Sequence, residues 1–179
     1  QPIRAFSPDA AIVFADILLP AQCLGIDVAF APGPKVANPI RTAAELTGRK
    51  VTSPRSSLPY VFETIRALKS ALTKSGEEPK AVIGFAGAPW TMACYLIEQG
   101  PYKHFERTAI VAKQSPNELQ EFLDHVAAMT EEYLLCQVEA GADVVQLFES
   151  WGGILPLDDA GGVGFVFGGI PVETLRRNE

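Results

Sequence analysis

Asp16 is the one charge inside AAIVFADILL, residues 10–19, an otherwise apolar run stopped by Pro20. An ionised carboxylate taken out of water without partners is expensive, so something must satisfy it. Either backbone N–H groups or an arginine cap it, or it is aimed at a ligand that brings several N–H donors of its own. Tyr95 lies six residues beyond Pro89, on the second turn of the helix that the proline opens, where a phenol can reach back toward the preceding strand end. The alternative for a lone tyrosine on an apolar helix is the core. Ser150, between LFE and WGG, can present a hydroxyl at a strand end or simply form a turn. No GxSxG elbow surrounds it, which argues against a nucleophilic serine.

Other chemistry-bearing residues point nowhere specific. His104 and His125 have no ligand spacing between them and read as surface or internally satisfied side chains. Cys23, Cys94 and Cys136 are odd in number and far apart, so they form neither a disulfide framework nor a CxxC zinc site and read as buried free thiols. GGVGFVFGG, residues 161–169, contains a GxG element without the strand-then-helix setting of a dinucleotide fingerprint.

The elements that must position these residues follow from hydrophobic periodicity. AAIVFADILL predicts a buried strand, followed by a Pro- and Gly-rich loop and by Thr42-Ala-Ala-Glu45, which has capping-box spacing for a short helix. Val61, Ile65, Leu68 and Leu72 make one helical stripe between Leu58 and Ser75, with Gly76 as a stop. AVIGFAG, residues 81–87, predicts a strand, and Pro89 opens a helix that Gly100-Pro101 closes. Ser115-Pro-Asn-Glu118 is a second capping box, introducing a long helix with Leu119, Phe122, Leu123, Val126, Met129 and Tyr133 along one side and ending near Gly141. DVVQLFES, residues 143–150, predicts a third strand. The alternation implies an α/β protein with a parallel sheet and right-handed crossovers. Functional groups of such folds gather at the carboxyl ends of the strands, and Asp16, the Gly84–Ala88 turn and Ser150 all fall there.

The totals fit this picture. The chain has 179 residues, 47% of them hydrophobic and 20% charged, which suits one globular domain rather than disorder. A formal charge of −6 with no basic cluster argues against a nucleic-acid surface. No apolar run reaches bilayer length and the first residues lack a signal-peptide core, so a cytoplasmic location without a membrane partner is expected, or a plastid one if a transit peptide has been removed.

Four stretches together resemble the uroporphyrinogen decarboxylase family of porphyrin and haem biosynthesis: AAIVFADIL around Asp16, PGP with NPIRTAAEL, GFAGAPWTMACYLIE, and QVEAGADVVQLFESWGG. The matching text runs in order from about Gln1 to Gly153. The resemblance implies a TIM (β/α)₈ barrel, a homodimer, and removal of CO₂ from the acetate side chains of uroporphyrinogen without metal or organic cofactor. It implies that Asp16 accepts hydrogen bonds from pyrrole N–H groups as the principal catalytic residue. It implies further that Tyr95 acts beside Asp16 in catalysis and binding, that Ser150 contacts substrate, and that Phe85 and Phe148 flank the macrocycle.

The chain also departs from the family pattern. It carries neither the Met-Arg-Gln-Ala-Gly-Arg-Tyr segment, whose place Arg4 and Arg41 do not take, nor the late Gly-His-Gly motif. A complete eight-fold barrel takes about 250 residues, so a partial barrel over residues 1–153 and a divergent Gly-rich tail over 154–179 are expected. The alternative reading is an inactive or partner-dependent piece that binds tetrapyrrole or only oligomerises. The related corrinoid-linked methyltransferase barrels use a His-x-Cys zinc element, which is absent from the sequence.

Overall fold

The computed structural model describes residues 2–30, 33–73, 80–99 and 105–152. Three parallel strands form its centre: β1 (Ala10–Ile12), β4 (Ala81–Gly87) and β5 (Val144–Phe148), in the spatial order β1-β4-β5. Between β1 and β4 the chain makes an antiparallel pair, β2 (Val28–Phe30) with β3 (Pro34–Val36), and three helices, α2 (Ala43–Thr47), α3 (Pro54–Ser57) and α4 (Pro59–Thr73). Helices α5 (Pro89–Glu98), α6 (Glu106–Gln114) and α7 (Pro116–Glu139) connect β4 to β5, and a short helix α1 (Pro2–Phe6) precedes β1. Parallel strands with connecting helices make this an α/β structure, as the alternation predicts, and part of the TIM-type (β/α) barrel that the resemblance implies.

The predicted stripes are buried. Leu119, Phe122, Leu123, Val126, Met129 and Tyr133 of α7 are all inaccessible, as are Val61, Ile65 and Leu72 of α4, while Leu68 packs half-buried against the same core. The Phe62 and Tyr133 rings meet at 5.9 Å, joining α4 to α7. Each such side chain, fully buried, contributes about 1.5–3 kcal/mol. Cys23, Cys94 and Cys136 are free and buried, as expected.

Several expectations need correction. The strand predicted over 10–19 stops at Ile12, residues 13–18 form a loop, and a 3₁₀ helix occupies Leu19–Leu24. The cause is local: the Asp16 carboxylate and carbonyl take the Leu18 and Leu19 N–H groups, which curls the chain, and Pro20 starts the 3₁₀ turn. At the first capping box, Glu45 reaches back to the Arg41 N–H at 3.0 Å and meets the Thr42 hydroxyl, which makes no backbone cap. At the second, Ser115 makes no side-chain cap; its N–H closes α6 on the Val111 carbonyl, so one residue ends α6 and begins α7. Helix α5 ends at Gln99, in the left-handed conformation (φ +76°). Strand β3 lies in the Pro- and Gly-rich stretch read as loop, and β2 and α6 lie where no element is predicted. Gly76, Gly100-Pro101, His104 and the tail from residue 153 lie outside the described residues.

The amino end of the sheet is held by a polar anchor. Asp143, just before β5, receives Lys69 Nζ on both carboxylate oxygens at 2.7 and 2.5 Å and accepts the Val82 N–H at 2.8 Å. Its own N–H returns to the Val82 carbonyl.

Candidate active site

At the carboxyl end of the sheet, β1 leaves its neighbour early. Its last ladder contact is the Val13 N–H on the Ile83 carbonyl, so the backbone of Phe85, facing the same side one step further on, has no strand beside it. Gln137 of α7 takes that place: its amide accepts the Phe85 N–H and donates to the Phe85 carbonyl, both at 2.9 Å, with the side chain only 2% exposed. Gly84 makes room for it, since a Cβ there would stand 2.4 Å from Gln137 Oε1. Gly87 admits the departing loop, because its Cβ would come within 3.3 Å of both the Ile17 side chain and its carbonyl. The small residues of GFAGAP therefore let a helix amide and the Asp16 loop approach β4.

The space opened by this departure is a cavity of about 480 Å³, within the range of roughly 300–1,000 Å³ common for small-molecule sites. Asp16, Phe85, Tyr95, Phe148 and Ser150 all line it, together with Ile12, Phe14, Ala15, Ile17, Leu18 and Pro34. All five residues singled out from the sequence thus come together in one place. Asp16 is half-buried, with Oδ1 on the Leu18 N–H at 2.8 Å, and no cation pairs with it among the described residues. The Phe85 and Phe148 rings meet edge-on at 5.7 Å, and Phe14 stands at the rim 90% exposed.

Tyr95 is half-buried on α5. Burial pushes its phenol above the ordinary range; the Trp151 indole lowers it in part, and the Asp16 carboxylate raises it further. The group is therefore a neutral O–H donor at physiological pH. Ser150 is exposed, and its N–H donates to the Thr91 hydroxyl at 2.8 Å. That hydroxyl donates to Glu149 at 2.5 Å, and Glu149 also accepts the Trp151 N–H. Ala88 N–H on the Phe148 carbonyl and Trp90 Nε1 on the Trp151 carbonyl complete the lacing of α5 to the end of β5.

One carboxylate acceptor, one phenol and one hydroxyl thus face a space walled by aromatic and aliphatic groups. Such a set suits a ligand with an apolar body that carries N–H donors or positive charge. Among the described residues no three His, Cys, Asp or Glu side chains cluster as a metal site, and no helix is long and apolar enough to cross a membrane. His125 is exposed on α7. Gln137 and Thr91 escaped sequence reasoning. The signal for Gln137 was an amide continuing the buried α7 stripe four residues past Tyr133; Thr91 carried none.

Comparison with known proteins points one way. Residues 1–161 match the family model described as uroporphyrinogen decarboxylase. A uroporphyrinogen decarboxylase from Syntrophotalea carbinolica is 41% identical over 155 residues, covering 87% of this chain and 44% of the relative. One from Streptomyces avermitilis is 44% identical over 161 residues, covering 88% and 44%. The chain thus spans a little under half the length of the curated relatives it matches. Among solved structures, a methyltransferase from Methanosarcina mazei superposes with a TM-score of 0.59 at 18% identity, covering 80% of this chain and 41% of that one, a likeness of fold alone.

Proposed function

This chain belongs to the uroporphyrinogen decarboxylase family, and from that premise we propose that it serves the decarboxylation of uroporphyrinogen acetate side chains to coproporphyrinogen in porphyrin and haem biosynthesis. The observation that carries this reading is the meeting of Asp16, Phe85, Tyr95, Phe148 and Ser150 around one cavity at the strand carboxyl ends.

The reaction needs no added electron sink, because each pyrrole is one. Protonation of a ring carbon makes a cationic ring, and the electron pair of the breaking C–CO₂ bond flows into it as CO₂ departs. The exocyclic carbon then takes a proton to become a methyl group, and the ring proton is lost. Asp16 accepts the pyrrole N–H groups and stabilises the transient positive charge, a fixed counter-charge that removes no proton from the ring carbon. The ligand's donors thereby satisfy the carboxylate left half-covered by Leu18. Tyr95 donates its O–H beside Asp16, Ser150 binds a polar edge of the substrate, and Phe85 and Phe148 hold the macrocycle's apolar body. Electrostatic groups of this kind are worth about 10²–10³ in kcat.

On the same reading residues 1–153 form the barrel unit and 154–179 a divergent tail. The working protein is a cytoplasmic homodimer without metal or organic cofactor, with no nucleic-acid or membrane partner. Anaerobic incubation of the purified chain with uroporphyrinogen tests the proposal. Less-carboxylated porphyrinogens are expected, and Asp16→Ala is expected to abolish them. Unchanged substrate in the presence of the folded parent chain would contradict it.

A further inference from the structure

Trp151 stands directly behind Tyr95 and has no role in the mechanism above. Its backbone is fixed twice, by its N–H on Glu149 and its carbonyl on Trp90 Nε1. Its ring lies edge-on to Tyr95, centroids 5.9 Å apart at 62°, and on its other side packs against Phe105 at 4.6 Å. Phe105 itself takes φ +46°, uncommon for a bulky residue, while holding that ring in the core at 3% exposure. Yet the Trp151 indole Nε1 is buried with no acceptor in hydrogen-bond geometry among the described residues. A donor left so is unusual in a core, where buried N–H groups find partners.

We propose that Trp151 is a positioning residue for Tyr95: its indole N–H serves the phenol oxygen when the cavity is filled, so that the phenol's own proton must point into the cavity. A phenol carries one proton to donate, and an oxygen that accepts from Trp151 on its protein side directs that proton away, toward the ligand. The edge-on approach of the two rings at 5.9 Å sets the indole beside the phenol, whose proton affinity it lowers in part. Hydrogen bonds of empty sites are often long and tighten on ligand binding. The inference rests on the tetrapyrrole reading for the ligand that fills the cavity.

The chain has only two tryptophans, so its indole N–H resonances are assigned with Trp151→Phe, which keeps an aromatic ring and removes the donor. Proton–nitrogen spectra are recorded with and without uroporphyrin as probe, for the parent and for Tyr95→Phe. The Trp151 indole proton is expected to move downfield and exchange more slowly on adding probe, and to do neither in Tyr95→Phe. Fluorescence titration is expected to show Trp151→Phe binding the probe about fivefold more weakly, the worth of one hydrogen bond. An indole resonance indifferent both to probe and to Tyr95→Phe overturns the inference, as does undiminished binding by a folded Trp151→Phe chain. A parent chain that binds the probe with its Trp151 resonance unmoved overturns the inference alone, whereas a parent chain that does not bind the probe overturns the tetrapyrrole reading and the inference with it.

Discussion

Two aspartates mark the two ends of the sheet. Asp143, at the amino end, is saturated: both oxygens hold Lys69, and one also takes the Val82 N–H. Asp16, at the carboxyl end, has one backbone N–H on one oxygen and lines a cavity. The same side chain is consumed by the fold at one end and left partly available at the other. The difference goes with the curl at Asp16, past which β1 does not continue, while β4 and β5 stay paired from Ile83–Val144 to Gly87–Phe148. Availability of polar groups, rather than charge as such, separates a site from an anchor.

The largest expected effect on stability comes from closing the gap that permits this difference. Gly84→Ala pushes a methyl group into Gln137 and leaves both Phe85 backbone groups without their partner, at about 2–3 kcal/mol in denaturant unfolding. Asp143→Ala, at the anchoring end, removes a half-exposed ion pair and the acceptor of Val82, and is expected to cost about 1–2 kcal/mol. It should leave ligand affinity at the distant cavity nearly untouched, and a matched loss of affinity would erase the distinction between the two ends.

Alkaline pH sharpens the comparison at the cavity end. Burial, with Glu149 and Glu98 nearby, pushes the Cys94 thiol well above its ordinary 9.0. Well below pH 9 the thiol is protonated whether the chain is folded or not, and the full stability is present. As pH rises further the unfolded chain releases this proton and the folded one does not, so stability falls, by at most about 1.4 kcal/mol per pH unit for this group. Cys94→Ala should flatten the pH profile of the thermal midpoint between pH 9 and 10. The smallest effect is expected for Thr91→Val, which loosens Glu149 and Ser150 from α5 at about 1 kcal/mol. Its signature is weaker ligand binding out of proportion to that loss.

Much of this site was legible because its residues break local patterns. A charge inside AAIVFADILL is an anomaly at any register, and a proline after two glycines marks a strand-to-helix turn without knowledge of the fold. Phe85 and Phe148 break no pattern and were reached through family resemblance alone. The overlong first strand shows the limit of composition: an apolar run says that residues are buried, not where the ladder stops, and Asp16 stops it by taking local N–H groups. The β2–β3 pair was hidden by a loop rich in proline and glycine. Gln137 was beyond reach because the need for its amide exists only once β1 has left Phe85, a fact of tertiary structure.

The central claim is tested most directly by titrating uroporphyrin into the parent chain, Asp16→Asn and Asp143→Asn, with a thermal midpoint recorded for each. Asp16→Asn is expected to bind at least about tenfold more weakly with its midpoint unchanged, whereas Asp143→Asn keeps the affinity and melts lower. Parent-like affinity in Asp16→Asn, or a midpoint that collapses with it, would show that this carboxylate serves the fold and not a ligand.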